Sequence, residues 1–317
     1  MVISSCLEER TARALRAHLE SLLELIDDPT VEDIFANPDG KVWVHQRGVG
    51  SYYQSAMAPG DVLNIINLVA SYNGTVCNAD KPILEAILPF RSARFHGTIS
   101  PVTVAPSFSI RLRPQKIFTL EEYCYDDRIL NNAQLSCLFS AIDSYQNILL
   151  VGGTGTGKTT LLNALLDALA KRKPDDRVVS IEDTPEIQCS SPNYMGLFSS
   201  GAITMTTCVR SALRSCPTRI VVGEVRGGEA LDMLKAWNTG HPGGFATVHG
   251  KSAAEGLERI EALAREATQA PQQKFIASTI NLVCFLSRIA EKPYRKVQQI
   301  LRVTGYEKGK HQFEEAQ

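Results

Sequence analysis

The sequence predicts an α/β protein: a C-terminal domain built on a largely parallel sheet, preceded by a smaller α+β domain. Three observations carry this expectation. The apolar run Ile148-Leu149-Leu150-Val151 ends in a glycine-rich turn that opens the leucine-rich helical stretch Thr160-Leu161-Leu162-Asn163-Ala164-Leu165-Leu166. From there strand-like and helix-like segments alternate, which argues for a parallel sheet covered on both faces. Finally, 317 residues that are 44% hydrophobic and 21% charged make a globular chain long enough for about two ordinary domains.

In chain order, residues 7–26 place Leu15, Leu19, Leu22, Leu23 and Ile26 at helical spacing, an amphipathic helix that stops at Asp27-Asp28-Pro29. Val42-Trp43-Val44 follows the turn Asn37-Pro38-Asp39-Gly40 and reads as a strand. Residues 61–72 read as a helix closed by Asn73-Gly74, and 83–90 and 94–99 as strands. Apolar and polar side chains alternate over 107–114, predicting a half-exposed strand with Arg111 and Arg113 on one face. The first domain is thus expected over 1–113, a linker over 114–130 and the second domain over 131–317. Thr119-Leu120-Glu121-Glu122 has the form of a capping box, and a helix is expected over 132–144. Strands over 147–151, 177–181, 219–223 and 245–248 then alternate with helices over 158–171, 204–215, 228–237 and 252–266. Residues 281–289 and 296–303 read as additional strands, and the last charged residues as frayed. Neither an internal repeat nor a low-complexity segment is found.

Several function classes are disfavoured by composition. A net charge of −1 gives no bulk reason to bind nucleic acid or an anionic membrane, so direct nucleic-acid binding is not supported. No run of 18 apolar residues is present, and the N-terminus turns acidic at Glu8-Glu9, unlike an export signal; the expected location is cytoplasmic. Eight cysteines without a C-x-x-C pair and six histidines without ligand spacing predict reduced thiols and no structural metal.

Chemistry concentrates in Gly152-Gly153-Thr154-Gly155-Thr156-Gly157-Lys158-Thr159, which fits the phosphate-loop pattern G-x-x-x-x-G-K-[ST] in its proper strand-to-helix context. Glycines let backbone N–H groups point inward, and with the following helix end they form an anion nest. The phosphates of ATP would be bound by Gly153, Thr154, Gly155, Thr156, Gly157, Lys158, Thr159 and Thr160. Lys158 would bridge the outer phosphates, and the Thr159 hydroxyl would ligate Mg²⁺. Hydrolysis further needs a metal site and a group that orients or deprotonates water. Glu182, in Ile181-Glu182-Asp183-Thr184-Pro185-Glu186, and Glu224, after Arg219-Ile220-Val221-Val222-Gly223, stand where parallel strands end, and ligands of such sheets bind at those ends. Glu224 is a second candidate for the metal. His249 closes a glycine-rich turn and short strand; it either contacts the outer phosphate or is a histidine bonded within the fold. Cationic help could come from Arg94, Arg111, Arg113, Arg210, Arg214 or Arg226, among which pattern alone does not choose.

These elements in this order, together with Gly223-Glu224-Val225-Arg226-Gly227 and Thr239-Gly240-His241-Pro242-Gly243-Gly244, resemble the secretion ATPase superfamily. Glu186-Ile187-Gln188-Cys189, Ala236-Trp237-Asn238-Thr239-Gly240-His241 and Val303-Thr304-Gly305-Tyr306 are most similar to its conjugal transfer members in type IV secretion systems. The resemblance implies a RecA-like ATPase domain behind a PAS-like N-terminal domain, with ATP bound between the two in a homo-hexameric ring. That ring would sit peripherally on the cytoplasmic face of the inner membrane, with other secretion or conjugation components, and drive pilus assembly or substrate transfer. It also implies that Arg94 and Arg111 reach the nucleotide phosphates, and that Glu182-Asp183, Glu224 and His249 form its acidic, Walker B and histidine boxes. One departure stands out: members commonly read Arg-Pro-Asp-Arg before the Walker B strand, where this chain has Cys216-Pro217-Thr218-Arg219. Alternatives are a pilus or type II secretion motor, whose usual C-x-x-C insert is absent here, a DNA translocase or helicase on the same core, and a non-hydrolysing scaffold.

Overall fold

The computed structural model describes residues 2–91, 93–113, 116–200 and 202–316. The chain divides into two compact units, Met1–Lys116 and Ile117–Gln317. In the first, α1 (Val2–His18) and α2 (Leu23–Asp27) flank a 3₁₀ turn, Glu20–Leu22. The single helix expected over 7–26 is therefore interrupted, yet Leu15, Leu19, Leu22 and Ile26 all stay fully buried. Then come β1 (Val31–Ala36), β2 (Lys41–Gln46), β3 (Gly50–Ala56), α3 (Pro59–Tyr72), β4 (Ile83–Ile87), β5 (Arg94–Thr98) and β6 (Ser107–Arg111). They form a six-stranded antiparallel sheet in the order β3-β2-β1-β6-β5-β4. One core joins its inner face to α1 and α3: Ile34, Val44, Phe95 and Ile110 pack with Leu15, Ile65 and Ile66. Alternation along each strand puts Asp33, His45, Arg94 and Arg111 on the opposite face. Arg94 lies directly opposite Arg111, which in turn lies opposite Asp33. Strands β1 and β3 were not expected from sequence. β1 buries Val31, Ile34 and Ala36 without strict alternation, and β3 is a mostly exposed edge.

The second unit begins earlier than the linker reading implies. Pro114 and Gln115 lie outside the described residues, but from Ile117 onward the stretch read as linker belongs to this unit. Helix α4 (Leu120–Tyr125) starts on a complete capping box, in which the Glu122 N–H donates to Thr119 Oγ1 at 3.1 Å and the Thr119 N–H to Glu122 Oε2 at 2.8 Å. Leu120, Tyr123, Ile129 and Leu130 are buried in the unit's core. A second capping box, Asn131 with Gln134, opens α5 (Asn132–Asp143).

There follow β7 (Ile148–Gly152), α6 (Lys158–Arg172), β8 (Val178–Glu182), β9 (Tyr194–Phe198), α7 (Met205–Ala212), β10 (Arg219–Val222), α8 (Glu229–Asn238), β11 (Phe245–Val248), α9 (Ala253–Ala264), α10 (Gln273–Thr279), β12 (Leu282–Arg288), β13 (Arg295–Glu307) and β14 (Lys310–Glu315). The eight strands run in the order β14-β13-β12-β7-β11-β10-β8-β9. Neighbours from β12 to β9 are parallel, and β13 and β14 add antiparallel. The fold is the α/β architecture the sequence predicts. Ile148 and Leu150 face a core with α4, α5 and α6, whereas Leu149 and Val151 face one with α7, α8, α9 and α10. With both faces covered, the strand reads as a continuous apolar run. Lys310–Glu315 are not frayed: β14 pairs with the long β13, Val303 opposite Phe313. Short α10 and edge strand β9 were also absent from the sequence reading.

Candidate active site

Parallel registers align the ends that matter. Val151 is level with Val248, and Val222 with both Ile181 and Ala246. Gly152, Glu182, Glu224 and His249 consequently emerge along one edge of the sheet. β7 must end in glycine, because a Cβ on Gly152 would stand 2.7 Å from the Leu286 carbonyl oxygen of β12. The loop then turns through Gly155 and Gly157, whose φ values are +68° and +93°. Thr156 is buried, and its hydroxyl donates to the Gly153 carbonyl at 2.9 Å, closing the turn. Gly153 and Thr154 are exposed, and Gly155, Gly157, Thr159 and Thr160 half-buried. Gly157 is the N-cap of α6 and no side chain caps it, so the helix end is left to an anion.

Lys158, the first residue of α6, is buried at 7% exposure. Its ammonium donates to the carbonyls of Gly152 at 2.9 Å and Gly153 at 3.0 Å, and faces His249 Nδ1 at 3.2 Å. Burial lowers its pKa, and the nearby Glu224 carboxylate offsets part of that. With Nδ1 accepting from an ammonium, the proton of a neutral His249 resides on Nε2, which lies 2.7 Å from Glu224 Oε1. The other Glu224 oxygen accepts from Arg226 Nε at 2.7 Å and from a second guanidinium nitrogen, while the third nitrogen reaches Asp183. Burial works against the charge of Arg226, but Glu224, Asp183 and Glu186 outweigh it and raise its pKa. A continuous polar chain thus runs Lys158–His249–Glu224–Arg226–Asp183.

Local backbone bonds set this chain in place. Buried Glu229 accepts the N–H groups of Arg226 and Gly227 at 2.7 and 2.9 Å, fixing the turn after β10. The Thr247 hydroxyl donates to the Gly223 carbonyl at 2.7 Å, tying the end of β10 to β11. Glu182 lies one strand further over, 2% exposed, and its Oε1 accepts the N–H groups of Glu186 and Ile187, both at 2.8 Å. Its Cγ fills the space a side chain on Gly223 would need, 2.9 Å from a Cβ there. The structure therefore gathers Lys158, Glu224 and His249 directly and sets Glu182 beside them. Arg94 and Arg111 belong to the first unit, on opposed positions of β5 and β6.

Of the candidate arginines, Arg226 is held between Glu224 and Asp183, while Arg210 pairs with Asp232 at 3.3 Å. Two further arginines were not singled out from sequence. Arg288 ends β12 and donates to the Gly155 carbonyl at 3.3 Å, and Arg295, opposite it on β13, approaches Gly157. Nothing local in the sequence marks them; the parallel pairing of β12 with β7 brings them there. Cys216-Pro217-Thr218 precedes β10 and so lies at the other end of that strand from Glu224. Thr218 Oγ1 accepts the Arg177 N–H at 3.0 Å, and the Pro217 carbonyl bonds His241 Nδ1 at 2.8 Å.

Comparison with known proteins identifies the family of the chain. Residues 79–313 match the family model described as type II/IV secretion system protein. The conjugal transfer protein TrbB of Rhizobium radiobacter is 39% identical over 306 residues, covering 96% of this chain and 94% of its own. The type IV secretion system protein VirB11 of Brucella suis biovar 1 is 30% identical over 304 residues, covering 83% of this chain and 81% of its own. Among solved structures, the Legionella pneumophila ATPase DotB shares the fold at a TM-score of 0.64 with 20% identity, over 89% of this chain and 79% of that one. Matched by that model along most of its length and by the conjugal transfer relative along nearly all of it, the chain belongs to the type II/IV secretion system protein family.

Proposed function

We propose that the chain hydrolyses ATP in the presence of Mg²⁺ and works as a homo-hexameric ring motor of a conjugative type IV secretion system. The observation that carries the chemistry is the Lys158–His249–Glu224 chain at the mouth of the phosphate loop. Family membership supports the setting. Lys158 and the N–H groups of 153–160 bind the phosphate chain, and Lys158 exchanges its carbonyl partners for phosphate oxygens. The Thr159 hydroxyl, in the first turn of α6, and the Glu224 carboxylate, just past the end of β10, are hard oxygen donors at the same edge of the sheet. They suit Mg²⁺, which keeps several waters and takes few protein ligands. When bound, the ion neutralises charge developing on the phosphates. Glu182, held rigid by two backbone N–H groups, orients the attacking water and takes its proton as the water oxygen bonds to the γ-phosphorus and the bond to ADP breaks. By the family resemblance, Arg94 and Arg111 would add cations that stabilise phosphate charge. His249 loses its lysine partner when Lys158 moves to phosphate, and so carries the state of the nucleotide to Glu224.

We place the ring at the cytoplasmic face of the inner membrane beside other secretion components. No helix among the described residues is long and apolar enough to cross a membrane. The deciding experiment is ATP turnover by the purified chain beside Lys158→Ala. Wild-type turnover and an inactive variant are expected; equal turnover would sink the assignment. Stimulation by single-stranded DNA that fades with salt would instead favour a translocase.

A further inference from the structure

The β12–β13 hairpin carries a charge that the catalytic scheme leaves unused. Leu286 of β12 is level with Gly152, which brings the end of β12 alongside the phosphate loop. Arg288 then lies over Gly155: its Nε donates to the Gly155 carbonyl, and one terminal nitrogen stands 2.2 Å from where a Cβ on Gly155 would be. Directly across the hairpin, the Arg295 Cδ is 3.5 Å from the corresponding position on Gly157. Like charges at opposed positions of an antiparallel pair repel. Arg226 is neutralised by Glu224 and Asp183, whereas among the described residues no carboxylate pairs with Arg288. β12 also flanks β7 on the side away from β11 and β10, so this cation faces the loop from the flank opposite the acids.

We propose that Arg288 holds the phosphate chain of a bound nucleoside di- or triphosphate, acting from the same chain as Lys158. An uncompensated guanidinium beside a helix end and N–H groups already arranged for an anion is completed by a polyanion. Gly155 is glycine for its positive φ and also because a side chain would displace the guanidinium. This role rests on the nucleotide-site reading above and adds a further cation beside Lys158.

The test uses the full chain, with ADP and inorganic tripolyphosphate each competing against a fluorescent ADP analogue. Arg288→Ala and Arg288→Gln should weaken both ligands by about ten- to a hundredfold, and Arg288→Lys should retain most of the affinity. Glutamine can keep the bond to the Gly155 carbonyl without the charge. Wild-type affinity in Arg288→Gln would therefore make the residue a loop prop and overturn the proposal. Weakened ADP with unchanged tripolyphosphate would move the contact to ribose or base and overturn it too, as would a wild-type chain that binds ADP but not tripolyphosphate. A wild-type chain that binds neither ligand would overturn the nucleotide site itself.

Discussion

Lys158 holds its charge in a place that disfavours it, and this has a measurable consequence. Burial lowers its pKa below the ordinary value of 10.5, so between the folded-state value and 10.5 the unfolded chain binds the proton more tightly. Stability therefore rises with pH in that window. Measured by urea unfolding without nucleotide, the stability of wild type relative to Lys158→Met should increase as pH climbs toward 10.5. A flat or falling difference would contradict the assignment. A different buried charge is structural. Arg219 is fully buried, pairs with Asp176 at 2.7 Å, donates to the carbonyls of Ile142 and Gly243, and stacks on Tyr145 with its Cζ 4.0 Å from the ring centroid. Asp176→Ala would strand that guanidinium and should cost about 3–5 kcal/mol in urea unfolding. Nucleotide affinity of the folded fraction should change little, because the cluster sits where β10 begins and Glu224 follows where it ends.

The elements transmit packing to the loop. Helix α9 crosses β7 closely enough that a Cβ on Gly256 would stand 2.3 Å from Val151 Cγ2, and Val151 directly precedes Gly152. Gly256→Ala should therefore cost about 1–3 kcal/mol of stability. It should also weaken ADP binding by moving the strand end that launches the loop. Adding Val151→Ala should recover part of both losses, and a double variant worse than the single one would refute this coupling. Local signals made such elements readable. The capping residues Thr119 and Glu122 announce α4, and the unbroken apolar run of β7 announces a strand covered twice. Strands β1, β3 and β9 were not readable, since β1 buries Val31, Ile34 and Ala36 without strict alternation, and β3 and β9 are sheet edges whose side chains are half-buried or exposed.

At the scale of the molecule, the first unit presents Arg94 and Arg111 on adjoining strands, with Asp33 beside them. Burial raises the pKa of Asp33, and Arg111 pulls it back. If these arginines serve the nucleotide, Arg111→Ala in the full chain should slow ATP turnover at least about tenfold, the scale of one charge-assisted contact. The solution mass with Mg²⁺-ATP, read by light scattering, should remain that of the proposed ring. Unaltered turnover would remove Arg111 from the site, and a monomer that turns over ATP would remove the ring.

The sequence alone located the glycine-rich turn between β7 and α6, the alternating α/β plan and the acids at the ends of β8 and β10, because each is encoded within one strand, turn and helix. Tertiary structure decided which of those groups meet. Lys158, His249 and Glu224 are joined by parallel registers across β7, β11 and β10, Asp183 is joined to Glu224 by Arg226, and Arg288 reaches Gly155 through the pairing of β12 with β7. Such contacts depend on strand order and register, which arise from the packing of two cores around one sheet and have no signature in any single stretch of chain.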